Sequence, residues 1–363
     1  MKRSLLILTF LGFLGTAFAQ SITPVTVTNL AQDIEETSGL IMLNGRLITH
    51  NDSGDGPFLY ELDSTNGQVA RTVYVENASA NDWEAICLDT SHIYVADFGN
   101  NNGTRQNLRI FKIDIGDYLA SDTVTADTIS FDYSDQTTFS SNPFFTNYDA
   151  EALIAFGDSL YIFSKSWGAQ MSFIYPVSKQ PGTYSLVKTD SVMSQGLITG
   201  ADYNPANGDV WLVGYGLFDQ LLVRIEDFAG GDLSTATVTR FDFQPPGATQ
   251  VEAISALDTN NYYVTGEGGN GNQAVLYRFS PPLPVGGIVE PDKSLRVWPN
   301  PALSTLNFCE CVEWVELLDL SGTPLERSYQ SLDVTGLKPG VYVLRLWDAA
   351  GQMVGTEKIR IGM

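Results

Sequence analysis

A chain of 363 residues with 44% hydrophobic and 11% aromatic residues can bury a sizeable core, enough for one large domain and a small one or for three modest ones. Its net charge of -22, from 20 basic against 42 acidic residues, argues against nucleic acid and anionic lipid as partners, because both demand basic patches. Charged residues are only 17% of the chain. The hydrophilic balance falls on Asn, Asp, Ser, Thr and Gly, which favours turn-rich β structure over helix.

The first residues read as an export signal. Lys2 and Arg3 precede an apolar run over residues 5–18, and Ala17-Phe18-Ala19 offers a small-x-small cleavage pattern before Gln20. The residue directly after that point is Gln20 and not Cys, so lipid attachment there is not expected. No later stretch approaches the ~20 apolar residues of a membrane helix, so no transmembrane span is expected. An acidic surface then suits a secreted protein and would also suit bound Ca²⁺, although a merely solvated acidic surface explains it as well.

From Glu36 the chain repeats itself. SGLIMLNGRLITHNDSGDGPFLYELD reads as strand, turn, strand, polar turn, strand, and RTVYVE adds a fourth strand. The pattern restarts at Glu84 (EAICLDTSHIYVADFGN), at Glu151 (EALIAFGDSLYIFSK), at Gly200 (GADYNPANGDVWLVGYG) and at Glu252 (EAISALDTNNYYVTGEG). Short strands in groups of four, recurring at roughly 50 residues, predict a β-propeller over residues 22–281. Five blades are expected, or six if residues 117–148 form an irregular extra one. The strand beginning at Ile22 is expected to close the ring against the last blade. A β-helix is the alternative architecture.

In such a ring the first strand of each blade lines the central channel, so Glu84, Glu151 and Glu252 are expected to converge near one mouth. Aligning SGL and GAD with EAI puts Ser38 and Gly200 at the acid position. Glu36 and Asp202 lie two residues away and keep the same side of the strand, so they are expected to complete the ring. Gathered carboxylates repel and raise one another's pKa, and a cation would relieve that. Oxygen-only ligands point to Ca²⁺. The alternative is that each Glu bonds backbone N–H groups or a neighbouring aromatic and staples the sheets.

The loops after the second strands should share that face. Their turn chemistry accounts for most of the Gly and Asn. His50, Asp52, Asp97, Asn101, Arg105, Lys165, Trp167 and Glu267 exceed that need and are the expected ligand face, for a glycan, peptide or small molecule. Trp83 and Trp167 could stack on a ligand or serve as packing. A metal-dependent hydrolase of lactones or phosphate esters is a second reading, with His50 as the good histidine base, since His92 should reach the opposite face. A purely structural surface protein is the third. No GxSxG elbow, HExxH or P-loop is present. Of the cysteines, Cys87 reads as core, and Cys309 and Cys311 as free or incidental.

The strings HNDSG at residues 50–54, DWEAI at 82–86, ADFGNN at 96–101 and TGADY at 199–203 resemble extracellular propellers related to SdiA-regulated proteins. Gluconolactonase-type propellers, which are related to these, hold a channel metal with Glu, Asn and Asp. The placement of Glu84, Glu151 and Glu252 is similar, but a residue-by-residue ligand set does not match. Beyond a Pro/Gly-rich linker at residues 282–293, alternating strands with Gly turns predict a small β-sandwich. Pro299-Asn300-Pro301, the turn at 319–322 and Gly340-Val341-Tyr342 resemble the C-terminal sorting domain of type IX secretion substrates in Bacteroidota. That resemblance covers residues 294–363, although the chain ends RIGM where the common form ends in Lys. It implies passage by the type IX machinery, then release or attachment at the outer surface.

Overall fold

A computed structural model describes residues 20–282 and 297–362, apart from residues 53, 217–218, 248–249, 269–272, 309–311, 320–323, 330 and 348–352. The expected export signal, most of the linker, the 319–322 turn beyond Asp319, and Cys309 and Cys311 lie outside the described residues. The chain divides into two units, Met1–Pro282 and Leu283–Met363.

The inner strands are the key to the first unit. WEAICL (Trp83–Leu88) and AEALIAF (Ala150–Phe156) are buried at every position but the last. An antiparallel strand packed on one face alternates buried and exposed residues, so continuous burial means that both faces are covered. Five sheets, each with a four-stranded antiparallel core, satisfy that demand. Each begins with such a strand: Thr37–Leu43, Trp83–Leu88, Ala150–Phe156, Leu197–Tyr203 and Val251–Ala256. Sheet five takes its outer strand, Val25–Asn29, from the start of the unit, paired antiparallel with Val275–Phe279.

Apolar layers fill the spaces between consecutive sheets. Ile41 and Ile48 of sheet one meet Ile86 and Ile93 of sheet two. Cys87, Tyr94 and Ala96 of sheet two meet Leu153, Leu160 and Tyr175 of sheet three. Ile154 and Phe163 of sheet three meet Val210 and Leu212 of sheet four. Trp211 and Val213 meet Val251 and Val264 of sheet five, and Ala253 and Leu276 return to Leu40 and Leu47 of sheet one. The first strands are neighbours in the same cyclic order. No sheet has a face left over, which is why Cys87 and Trp83 are core residues.

Exposed outer edges are covered by short parallel strands donated by the next sheet. Thr123–Val124 pairs with Val69–Val75, Gly182–Leu186 with Asp127–Tyr133, and Ser21–Ile22 with Thr237–Phe243. Residues 117–148 therefore build no sheet of their own. The helix Ile115–Ala120 and strand Thr123–Val124 lead to Asp127–Tyr133, the fourth strand of sheet two, and residues 134–149 connect it to sheet three. This excursion explains the longer second interval of the repeat.

In the second unit, a sheet of three strands and a sheet of four share one core, with Leu306, Phe308 and Leu332 meeting Val315, Leu317, Leu344 and Leu346. Strand Gly340–Trp347 lies inside the larger sheet, between Trp314–Leu318 and Met353–Ile361. Among the described residues no helix is long and apolar enough to cross a membrane.

Candidate functional site

Each inner strand of the first unit is interrupted at one place. The pairing register shifts between Thr37 and Gly39, Trp83 and Ala85, Ala150 and Ala152, Ile198 and Gly200, and Val251 and Ala253. A bulge leaves one residue unpaired and re-aims its side chain. The five residues so placed are Ser38, Glu84, Glu151, Thr199 and Glu252. The next residue is Gly or Ala every time, because the strands close in on each other there. A Cβ on Gly39 would come within 2.8 Å of Ile86 and one on Gly200 within 2.5 Å of the Glu252 carbonyl.

This geometry corrects two expected members of the ring. In the fourth repeat the equivalent residue is Thr199, whose hydroxyl donates to Val251 O at 2.7 Å. Asp202 lies three residues further down the strand, where its carboxylate accepts the Ala256 N–H at 2.6 Å. In the first repeat Ser38 takes the position and donates to Glu84 O at 3.1 Å and to Glu84 Oε2 at 3.3 Å. Glu36 is exposed in the preceding turn, at the rim and not in the ring.

Glu84, Glu151 and Glu252 are buried, and Glu151 is close enough to the other two to act on their ionisation. Burial and then the Glu151 charge raise Glu84 and Glu252 well above the ordinary glutamate range. Glu151 itself is pushed up to about 8 by burial, with Lys165 pulling it back. Lys165 is buried beside it, and its ammonium donates to Glu151 Oε1. Burial works against the Lys165 charge, but Glu151 and Glu252 win and hold its pKa high. The ammonium also lies 5.0 Å from the Trp167 ring centre and 5.3 Å from that of Tyr215. Glu151 Oε2 is buried without a hydrogen-bond partner.

Toward the rim the acids multiply. Asp52, Asp82 and Glu84 bring carboxylate oxygens within 4.8 Å of one another. Burial, followed by Asp82, Glu267 and Glu36, pushes Asp52 up to about 7. Asp82 is raised by burial, opposed by Arg105, and Glu267 is raised by burial, opposed by Lys165. Gly99 leaves room for the group: a Cβ there would stand 2.2 Å from Glu84 Oε1 and 2.4 Å from Asp82 Oδ2. Asp52 Oδ1 is buried with no partner. An all-oxygen donor set, an open backbone flank and unsatisfied acceptors fit a hard divalent cation such as Ca²⁺. Between the inner strands, Ser38, Gly39, Ala85, Glu151, Gly200 and Ala253 line a narrow cavity of about 10 Å³, room for about one water molecule.

Several expected ligand-face residues have other work. His50 is wholly buried, edge-on to Trp83 with ring centres 5.7 Å apart. Its Nδ1 lies 2.9 Å from Asn51 O, and burial lowers its pKa to about 4. It sits in the core and not on the exposed face of the mouth, and its Nε2 is buried without a hydrogen-bond partner. Trp83 is equally buried, with its indole N–H on Ser79 O at 3.0 Å. Asp97 is fully buried between Arg105 at 2.7 Å and Arg109 at 2.9 Å, and it anchors its loop. Arg105 is spent on Asp97 and on Gly99 O at 2.8 Å. Asn101 is exposed in the turn and offers its carbonyl to Phe144 N–H at 3.3 Å. Asp52, Lys165, Trp167 and Glu267 do gather at the mouth.

Asp82 and Asp149 belong to the site without having been singled out. Each stands two residues ahead of a ring glutamate, an Asp-x-Glu signal that was there to read. Asp149 is satisfied by Asn100 N–H at 2.7 Å, Ala150 N–H at 3.1 Å and Trp167 Nε1–H at 2.7 Å. His92 sits at the other end of its strand beside Asp89.

No family model matches this chain, and no curated protein matches it. Among solved structures it is similar to PorZ, an essential bacterial surface component of the type IX secretion system of Porphyromonas gingivalis, at 12% identity and a TM-score of 0.33, covering 90% of this chain and 45% of PorZ. The chain thus spans less than half of PorZ. It is also similar to a hypothetical protein from Leishmania major at 10% identity and a TM-score of 0.40, over 71% of this chain and 91% of that one. A fungal alcohol oxidase of the AA5 family in complex with copper matches at 13% identity and a TM-score of 0.35, over 90% and 85%. Likenesses this distant carry no argument about activity or partners.

Proposed function

We propose that the five sheets are the blades of a β-propeller acting as a secreted or cell-surface binding module, whose mouth takes a positively charged group. One observation carries this reading. Asp52, Asp82, Glu84, Glu151, Glu252 and Glu267 crowd together, six acids against two cations, with Lys165 buried among them and Arg105 3.9 Å from Asp82. Acids held in this way keep their protons until positive charge arrives. Ca²⁺ is the small cation the donors suit, with Asp52, Asp82 and Glu84 as its ligands, and extracellular modules bind it at roughly 10⁻⁴–10⁻³ M.

Calorimetric titration of the mature chain with Ca²⁺ at pH 7.5 tests the reading. Binding with proton release, abolished in Glu84→Gln, is expected. No heat and no rise in melting temperature at 10 mM Ca²⁺ would remove the cation. The hydrolase alternative is the less favoured reading, since His50 is buried and His92 lies at the far end of its strand.

Export completes the proposal. Residues 1–19 would direct the chain to the periplasm and residues 294–363 would present it to the type IX machinery. In a bacterium that has this system, the secreted protein should begin at Gln20, and deleting residues 294–363 should leave it in the periplasm. Its appearance outside despite the deletion would overturn this route.

A further inference from the structure

The connection over residues 134–149 is long, and it places aromatic rings in solvent beside the acidic mouth. Phe139 is 37% exposed, Phe144 61% and Phe145 59%. The rings are continuous with the acids: Phe144 lies edge-on to Trp167 at 5.0 Å, and Trp167 touches both Asp149 and Lys165.

The rim is also held in place. Phe144 adopts φ 61°, Gln170 φ 52° and Gln195 φ 54°, a left-handed backbone that bulky residues avoid unless their surroundings impose it. Asn142 N–H donates to Asn102 O at 2.9 Å, Gln136 Nε2 to Gly103 O at 2.9 Å, and Trp167 N–H to Thr146 O at 3.1 Å. Ser194 Oγ donates to Gly196 O at 2.6 Å within the next loop and lies 3.4 Å from Gln170 O. Three strained residues and three exposed rings on one rim constitute a pre-organised surface.

We propose that this rim and the acidic mouth together bind an extended basic polypeptide segment, with a Lys or Arg head directed at Asp52, Asp82 and Glu84 and neighbouring apolar side chains resting on Phe144, Phe145 and Trp167. The proposal rests on the binding reading above and names its ligand class. Charge complementarity selects the occupant. The mouth is acidic in a chain of net charge -22, and aromatic faces beside carboxylates suit a cation on an apolar stem. The central cavity is too narrow for more than the tip of a side chain, whereas the exposed rings extend well beyond it, which fits a polymer better than a small amine.

Fluorescence anisotropy at pH 7.5 and 150 mM salt tests this with three labelled decapeptides: alternating Lys and Phe, alternating Lys and Gly, and alternating Glu and Phe. The Lys–Phe peptide should bind the mature chain at least tenfold more tightly than Lys–Gly, Glu–Phe should not bind, and 10 mM Ca²⁺ should compete. Phe144→Ala with Phe145→Ala should reduce Lys–Phe to the Lys–Gly level while leaving the calorimetric Ca²⁺ titration unchanged. Phe144→Asn, which tolerates positive φ, guards against a loop disturbance and should weaken binding in the same direction. Unchanged Lys–Phe affinity in these variants, equal binding of Glu–Phe, or Phe144-dependent binding of neutral xylohexaose instead would overturn the proposal. Absent peptide binding with Ca²⁺ heat intact would sink the polypeptide alone and leave the cation reading standing.

Discussion

The two ends of the inner strands hold the same residue type under opposite physics. At the mouth, Glu84, Glu151, Glu252, Asp52 and Asp82 are crowded and desolvated, and their pKa values rise. At the far end, Asp63, Asp89 and Asp258 sit in tight turns. Asp89 accepts the N–H groups of Ser91 and His92, both at 2.9 Å, and pairs with Lys179 at 2.9 Å. Asp63 and Asp258 accept local donors in the same way, and all three are held below the usual carboxylate range. A carboxylate ringed by N–H groups stabilises a turn, whereas carboxylates facing one another store a demand for positive charge. The contrast holds for these residues, but burial alone can also raise an acid that is well bonded: Asp202, further down its strand, accepts the Ala256 N–H and is still pushed up to about 7.

The sharpest way to break this contrast is to remove the internal cation. Lys165→Met should cost about 3–5 kcal/mol in urea unfolding at pH 8, because Glu151 is left buried and unpaired. The loss should shrink at pH 5, where Glu151 carries its proton, and Lys165→Met with Glu151→Gln should recover most of it. A loss that did not depend on pH would assign Lys165 a packing role only.

Acidity offers the next test. The mouth acids have folded pKa values above their unfolded ones, so their contribution is fully present below about pH 4 and is lost as pH rises through 7 to 8. Unfolding free energy should fall by about 3 kcal/mol between pH 5 and pH 8, and Ca²⁺ at 10 mM should restore part of it. The far-end acids have depressed pKa values and work the other way, so their contribution disappears as pH falls below about 4.

Gly99→Ala narrows the test to the rim and should weaken Ca²⁺ binding at least tenfold in calorimetry, since its methyl group would occupy the space between Asp82 and Glu84. At the far end, Asp89→Asn should cost about 1 kcal/mol at pH 7, allowing for its exposure, with no effect on Ca²⁺. Smallest of all, Asp258→Ala should lower the melting temperature only slightly, measured by circular dichroism.

Much of this was legible in sequence because the inner strands repeat a pair, an inward residue followed by a small one. Glu-Ala at residues 84–85, 151–152 and 252–253 announces itself. Thr199-Gly200 does not, because a hydroxyl stands where the acid should be and the glycine shifts an alignment by one. The small residue was the better marker, since it answers to the crowding of backbones. Asp202 was misplaced by the period of two, which preserves a face but ignores a bulge and a displacement of about 10 Å along the strand. His50 and Asp97 look like turn residues, but the strands run on through both positions. Their partners, Trp83 and Arg109, come from other strands that no local pattern could pair with them.

The strand Val25–Asn29 completes sheet five by joining Val275–Phe279. Within its sheet that strand comes first in the chain, while the edge it must meet, Val275–Phe279, comes last. Until that edge exists, the nascent chain keeps an unpaired flank and cannot lock, so closure is a late, long-range event and slow to nucleate. Sheet five can therefore be completed only after the last strand of its own unit has been made, about 250 residues after the first.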